Sequence, residues 1–369
     1  MSTTEVDIVD TLRRLVECES PSSDRAAVAR SADVVSSLGH GILGVAPERI
    51  VCDGVTHLRW SFGDTTHVLL LAHHDTVWPI GTLALLPFAQ RDGVVTGPGC
   101  FDMKAGLAMA LHAIAALEHR DGVTLLVTGD EELGSPTSRP LIESAVRGAR
   151  AALVLEASAD GGALKIERKG VSLYEVVIDG RAAHAGLEPE TGVNATVELS
   201  HQVLTVAAFA DPALGTSVTP TVAASGTTTN TVPGRASFAV DVRCRTALEQ
   251  ERVDAALRRL DPVLAGAAVS VRGGINRPPL EASASVALFA RAQAVGARLG
   301  LAPFEGVAVG GASDGNFTAG VGVPTLDGLG AVGGGAHAQH EHVVVAELVP
   351  RTRLIERLVA EMLEEQAAS

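Results

Sequence analysis

Three short apolar runs, His67–Ala72, Val123–Thr128 and Ala151–Leu155, each stop at a residue able to hold a cation or a proton. The first leads into His73-His74-Asp75, the second into Gly129-Asp130-Glu131-Glu132, and the third into Glu156. Runs of this length without polar alternation read as strands buried on both faces. Between and around them lie segments of helical period: Val6–Glu17, Ser22–Leu38 with Ser22 or Ser23 as its cap, Asp102–Glu118 and Arg139–Val146. Strands alternating with helices predict an α/β fold built on a mainly parallel, doubly wound sheet. Strand ends gather distant segments in such sheets, so the acidic and histidine clusters are expected to meet.

A chain of 369 residues exceeds the usual size of one domain. Beyond Arg168 the texture changes. Val171–Ile178 and Ala236–Val242 alternate like half-exposed strands, and Asn194–Phe209 and Ala247–Leu260 have helical spacing. This predicts a smaller α+β unit, residues 168–275, inserted into a sheet domain formed by 1–167 and 276–369. Helical segments at Val286–Leu299 and Ala346–Glu364 would complete that domain.

The formal charge is −14 and the only lysines are Lys104, Lys165 and Lys169, which argues against a nucleic-acid partner. No run is long enough to span a bilayer, and residues 1–10 show neither a basic flank nor an apolar signal core. Cys18, Cys52, Cys100 and Cys244 lack paired zinc spacing and read as reduced thiols. A cytoplasmic protein without a membrane partner is expected.

The clusters suit a two-metal hydrolase. Paired divalent ions need carboxylates and imidazoles converging from several segments. A His followed two residues later by Asp fits a ligand with the partner that fixes its tautomer, or a satisfied loop pair. Adjacent carboxylates such as Glu131 and Glu132 point apart and can divide metal binding from proton transfer, unless they form a solvated turn. Glu156 ends too apolar a run to be explained by solvation alone.

His73-His74-Asp75-Thr76-Val77, Gly97-Pro98-Gly99-Cys100-Phe101-Asp102-Met103-Lys104, Gly129-Asp130-Glu131-Glu132, Glu156 and Gly333-Gly334-Gly335-Ala336-His337 occur in that order. Together they resemble the motifs of the co-catalytic dizinc exopeptidases and amidohydrolases, which include glutamate carboxypeptidase, aminoacylase, acetylornithine deacetylase and succinyl-diaminopimelate desuccinylase. The resemblance covers nearly the whole chain. It implies that His73 and Glu156 bind one Zn²⁺, Glu132 and His337 the other, with Asp102 bridging and Asp75 orienting His73. Co²⁺ or Mn²⁺ could substitute. Glu131 would be the general base that takes a proton from the attacking water and returns it to the leaving amine. His340 stays the alternative to His337 in Ala336-His337-Ala338-Gln339-His340-Glu341-His342. A cis peptide at Asp102-Met103 is also implied.

By the same resemblance, Gly180-Arg181-Ala182-Ala183-His184-Ala185-Gly186 belongs to a lid or dimerisation domain, and His184 donates to the oxyanion. Asn230 and Arg243 would hold a substrate carboxylate, Arg243 having an ion pair with Asp241 as its other possible role. A homodimer through the inserted domain is expected. Met103 and Lys165 depart from the folate-cleaving branch. The implied activity is hydrolysis of an amide or peptide bond beside a free carboxylate, as in glutamate carboxypeptidase. The alternative is deacylation or desuccinylation of an N-acyl amino acid. A catalytically silent binding protein of the same fold would be free to lose site residues, and none of the six is missing.

Overall fold

The computed structural model describes residues 4–367. The three apolar runs are strands at Val68–His73, Val123–Thr128 and Ala151–Val154, every residue of which is buried. They form the centre of a six-stranded sheet in the order Glu48–Cys52, Val55–Phe62, Val123–Thr128, Val68–His73, Ala151–Val154, Thr325–Leu326. The last four strands run parallel, while Glu48–Cys52 and Val55–Phe62 form an antiparallel edge. His73 pairs with Thr128, and Leu71 with Val154. This register brings the carboxyl ends of the three strands level.

Both faces of the sheet are covered because side chains alternate along each strand. Val68, Leu70, Leu125, Val127 and Leu153 face one core, shared with the helices Glu5–Val16, Arg25–Leu43, Ala105–Ala116 and Leu348–Ala367. Leu69, Leu71, Leu126 and Ala152 face another, with Ile142, Val146 and Phe317. Ala105–Ala116 is the innermost helix, buried at each position from Ala105 to Ile114. That suits a sequence with almost no polar stripe. A side chain at Gly106 would strike the Leu155 carbonyl, so glycine lets this helix begin directly against the segment that carries Glu156.

Two helix starts differ from expectation. The helix expected from Asp102 begins at Ala105, because Asp102 (φ −113°, ψ 96°) and Met103 have non-helical backbones and the peptide between them is cis. The second N-terminal helix is capped by Asp24, whose carboxylate accepts from Ala26 and Ala27 N–H. Ser22 is occupied elsewhere, as described below.

Residues up to Glu167, Leu280–Val309 and those from Ser313 onward form one compact unit; Arg168–Pro279 with Gly310–Ala312 form the other. The return to the first unit falls four residues beyond the expected boundary because the strand Ala268–Arg277 continues through it. The second unit is a four-stranded antiparallel sheet ordered Ser217–Ser225, Arg235–Cys244, Gly170–Asp179, Ala268–Arg277. It packs on the helices Ala195–Ala207 and Ala247–Leu257 around Tyr174, Val176, Ile178, Phe238 and Val240. The buried Arg168 guanidinium donates to the carbonyls of Gly311 and Ala312, which ties that three-residue excursion into the unit.

Candidate metal centre

At the ends of the parallel strands, Asp102 stands between two groups of donors. Its Oδ1 lies 3.6 Å from His73 Nε2, which is 3.4 Å from Glu156 Oε1. Its Oδ2 lies 3.2 Å from His337 Nε2, which is 3.3 Å from Glu132 Oε1. One atom each from His73, Asp102 and Glu132 falls within 4.8 Å of the others. All five expected ligands are therefore brought together, and it is His337 that meets Asp102 and Glu132. The hairpin turn that carries His337 joins the strands Gly333–Gly334 and His342–Val344. His337 has φ +61°, a left-handed backbone that is uncommon for a residue with a side chain.

The histidine at the strand end is oriented by main chain. His73 Nδ1 is 3.0 Å from the Asp75 carbonyl oxygen, to which it donates, so Nε2 is the nitrogen turned toward Asp102 and Glu156. The Asp75 carboxylate, expected to orient His73, is 3.4 Å from Nδ1. Its closer partners are the Ser22 hydroxyl at 2.6 Å and the N–H groups of Glu131 and Glu132 at 3.3 and 3.2 Å. Asp75 thus links the His73 turn to the turn Glu131–Leu133 that follows the neighbouring strand. Glu131 is buried in that turn, next to Glu132.

The electrostatics are those of a site short of positive charge. Burial disfavours a protonated His73, but the Asp102, Asp75 and Glu156 carboxylates outweigh it and raise the imidazole well above its ordinary value. Asp102 and Glu132 push His337 up to about 10. Burial likewise raises the Glu132 carboxyl, while the two imidazoles hold Asp102 well below the usual carboxylate range against its own burial. His73 Nε2 and Glu132 Oε1 are buried without a hydrogen bond. Buried polar atoms are rarely left so. Two imidazole nitrogens and three carboxylates around such atoms match the donor chemistry of a pair of divalent ions.

Sequence reading missed several supporting residues. Ser22 holds Asp75. His74 is fully buried, bonded to Ser31 Oγ and the Thr56 carbonyl, and its imidazole is driven down to about 4 by burial. Asp130 accepts from Thr137 N–H and from the Thr137 and Ser138 hydroxyls, which folds the chain back after Glu132. Asp314 accepts from the Thr128 and Ser135 hydroxyls. His74 and Asp130 stood inside the quoted motifs and Ser22 was read as a helix cap, so each was visible in the sequence without its supporting role.

The residues expected from the inserted unit lie in the Arg168–Pro279 unit with local partners. His184 is exposed, and its Nδ1 accepts from the N–H groups of Gly186 and Leu187, each at 3.1 Å. Its ring proton therefore sits on Nε2. Asn230 is a close neighbour: its carbonyl accepts from Ala185 N–H, beside a short ladder in which His184 pairs with Thr231. Arg243 is not. It stands at the far end of the strand whose other end, Arg235, pairs with Asp179, so roughly 26 Å of strand separates it from the His184 end. Its Nε and Nη2 donate to the two Asp241 oxygens at 2.7 and 2.8 Å.

The sequence profile of Peptidase family M20/M25/M40 matches residues 69–361. The chain belongs to that family. Carboxypeptidase G2 from Pseudomonas sp. strain RS-16 is 31% identical, over 93% of this chain and 86% of its own length. A succinyl-diaminopimelate desuccinylase from Wolinella succinogenes is 25% identical, over 90% and 93%. Among solved structures, an M20 metallo-carboxypeptidase from Sulfolobus solfataricus shares the fold, with TM-score 0.76 and 18% identity over 96% of this chain and 98% of that one. A dinuclear metal-binding M20 peptidase from Bacillus subtilis shares it at TM-score 0.68 and 16% identity, over 98% of each. Membership makes the chain a metal-dependent hydrolase of the metallopeptidase and amidohydrolase class. Among the described residues, no helix is long and apolar enough to cross a membrane.

Proposed function

We propose that this M20 hydrolase cleaves an amide bond beside a free carboxylate, in the manner of a glutamate carboxypeptidase. The observation that carries the reading is the pair of donor groups meeting at Asp102 with Glu131 in the adjoining turn. The donor set fits two divalent ions such as Zn²⁺: His73 and Glu156 would hold one and Glu132 and His337 the other, with Asp102 available to both. When bound, such ions polarise the scissile carbonyl and lower the pKa of water.

The chain's own residues then do the following. Glu131, buried in the turn beside Glu132, takes a proton from the attacking water and delivers it to the amine that leaves. Asp75 holds both the tautomer of His73 and the backbone of the Glu131 turn, so base and ligand keep a fixed spacing. His184 offers Nε2–H to the oxyanion. Arg243 offers the Nη1–Nη2 edge of its guanidinium to the substrate carboxylate, since Asp241 takes the other edge, and Asn230 adds an amide.

A homodimer accords with two features. His184 lies beyond the Arg235 end of the strand Arg235–Cys244 and Arg243 near its other end, too far apart for a single small substrate to reach both within one chain. The edge strand Ser217–Ser225 is exposed from Thr221 onward, and Val222, Val197 and Leu204 lie exposed on the same unit. The four free cysteines fit a reducing, cytoplasmic setting.

The second reading, deacylation of N-acyl or N-succinyl amino acids, is favoured by the similarity to desuccinylases. A panel of N-acyl amino acids, dipeptides and amides of glutamate, run with zinc-loaded protein, decides between them. Turnover of glutamate amides over N-succinyl amino acids supports the first reading, and the reverse order sinks it. In the same assay Glu131→Gln should lower kcat by at least ~10³-fold with two zinc ions retained.

A further inference from the structure

Glu341 is almost completely buried, yet no role in binding or proton transfer falls to it. Its carboxylate accepts four hydrogen bonds. Oε1 takes the N–H groups of Phe101 and Asp102 at 2.9 and 3.0 Å, and Oε2 takes the N–H of Gly99 and Trp78 Nε1–H at 2.9 and 2.8 Å. These donors belong to separate segments. Trp78 follows His73-His74-Asp75 by three residues; Gly99, Phe101 and Asp102 form the turn ahead of the inner helix; Glu341 itself lies four residues beyond His337 in the same hairpin turn. The pairing of His342 with Thr96 sets that turn alongside the chain entering Gly97–Asp102.

The turn needs such an acceptor. Gly99 has φ +71°, and Asp102 and Met103 depart from helical backbone, so the turn offers several N–H groups to one buried point. N–H groups converging in this way form a nest for an anion. Glu341 fills it with both carboxylate oxygens.

We propose that Glu341 is a positioning residue that fixes the Asp102 carboxylate between His73 and His337 by clamping the Asp102 backbone to the His337 turn and to Trp78. This rests on reading the Asp102 cluster as a two-ion site. The role belongs to geometry, since Glu341 touches none of the donor atoms aimed at the cations.

The test substitutes Co²⁺ into the full-length protein and compares Glu341→Gln and Trp78→Phe with wild type. The glutamine keeps the shape but turns an amide NH2 against two N–H donors; the phenylalanine removes one donor of four. Expected for Glu341→Gln are a folded protein by circular dichroism, two cobalt ions per chain, a changed visible absorption spectrum, and a kcat at least tenfold lower with KM within threefold. Trp78→Phe should shift the spectrum in the same sense and by less. A wild-type cobalt spectrum in folded Glu341→Gln overturns the proposal. Should Glu341→Gln fail to fold, Trp78→Phe decides alone, and a wild-type spectrum there overturns it equally. Wild-type protein that binds fewer than two cobalt ions refutes the two-ion reading itself, and the proposal with it.

Discussion

Around Asp102, the other four proposed ligands are carried by turns at the ends of buried strands and by a hairpin beside them, in segments held by partners such as Asp75, Asp130 and Glu341. In the Arg168–Pro279 unit, His184 is exposed on a two-residue ladder with the exposed Asn230 beside it, and Arg243 has settled onto Asp241. The first arrangement gathers like charges at a cost that only cations relieve. The second is satisfied as it stands. A centre that must hold ions is preorganised by the sheet, whereas groups that meet a transient charge can rest on local partners until it forms.

The sharpest way to break this contrast is at its centre. Asp102→Asn removes the carboxylate between the imidazoles. Zinc content by atomic absorption should fall from two per chain to below one, and kcat/KM by at least ~10³-fold. Retention of both ions would show that Asp102 is not their common ligand. Next in size is His184→Ala, which should lower kcat by about 10²-fold, the effect of losing one oxyanion donor, with zinc content unchanged. Parallel loss of metal would place His184 in the same class as His73 and dissolve the distinction.

The smallest effect concerns stability. Burial lowers the pKa of His57, whose Nδ1 accepts from Gly129 N–H, and of His112, whose Nε2 is 2.9 Å from Thr11 Oγ1. The unfolded chain binds these protons first as pH falls below the ordinary value of 6.5, so stability present above that pH is lost on acidification. Thermal unfolding should show Tm a few degrees lower at pH 5.5 than at pH 7.5, on the order of 2–4 °C per kcal/mol. The drop should shrink in His57→Gln/His112→Gln. An unchanged slope in that double variant would remove these two histidines from the account.

The parallel sheet was legible because Val68–His73, Val123–Thr128 and Ala151–Val154 have no polar face to hide, and their termini named the ligand-bearing turns directly. Asp102 was misplaced onto a helix since the apolar period of Ala105–Ala116 extends through Met103 in sequence while the backbone does not. Asp75 was legible as a partner of His73 but not as one acting through its carbonyl, because residue type does not reveal main-chain contacts. Ser22 and Glu341 were seen in the sequence without their roles being legible, because each acts on a segment brought near by folding; Glu341 is some 240 residues from the turn it clamps.

The small link formed by Arg168 and Gly310–Ala312 bears on modularity. Since three residues of the later chain belong to the smaller unit, that unit is not a cassette with one entry and one exit. Excising 168–279 and splicing the ends would leave Gly310–Ala312 attached to a body from which their guanidinium donor has been deleted. A graft of the unit onto another scaffold would need to carry both pieces of chain.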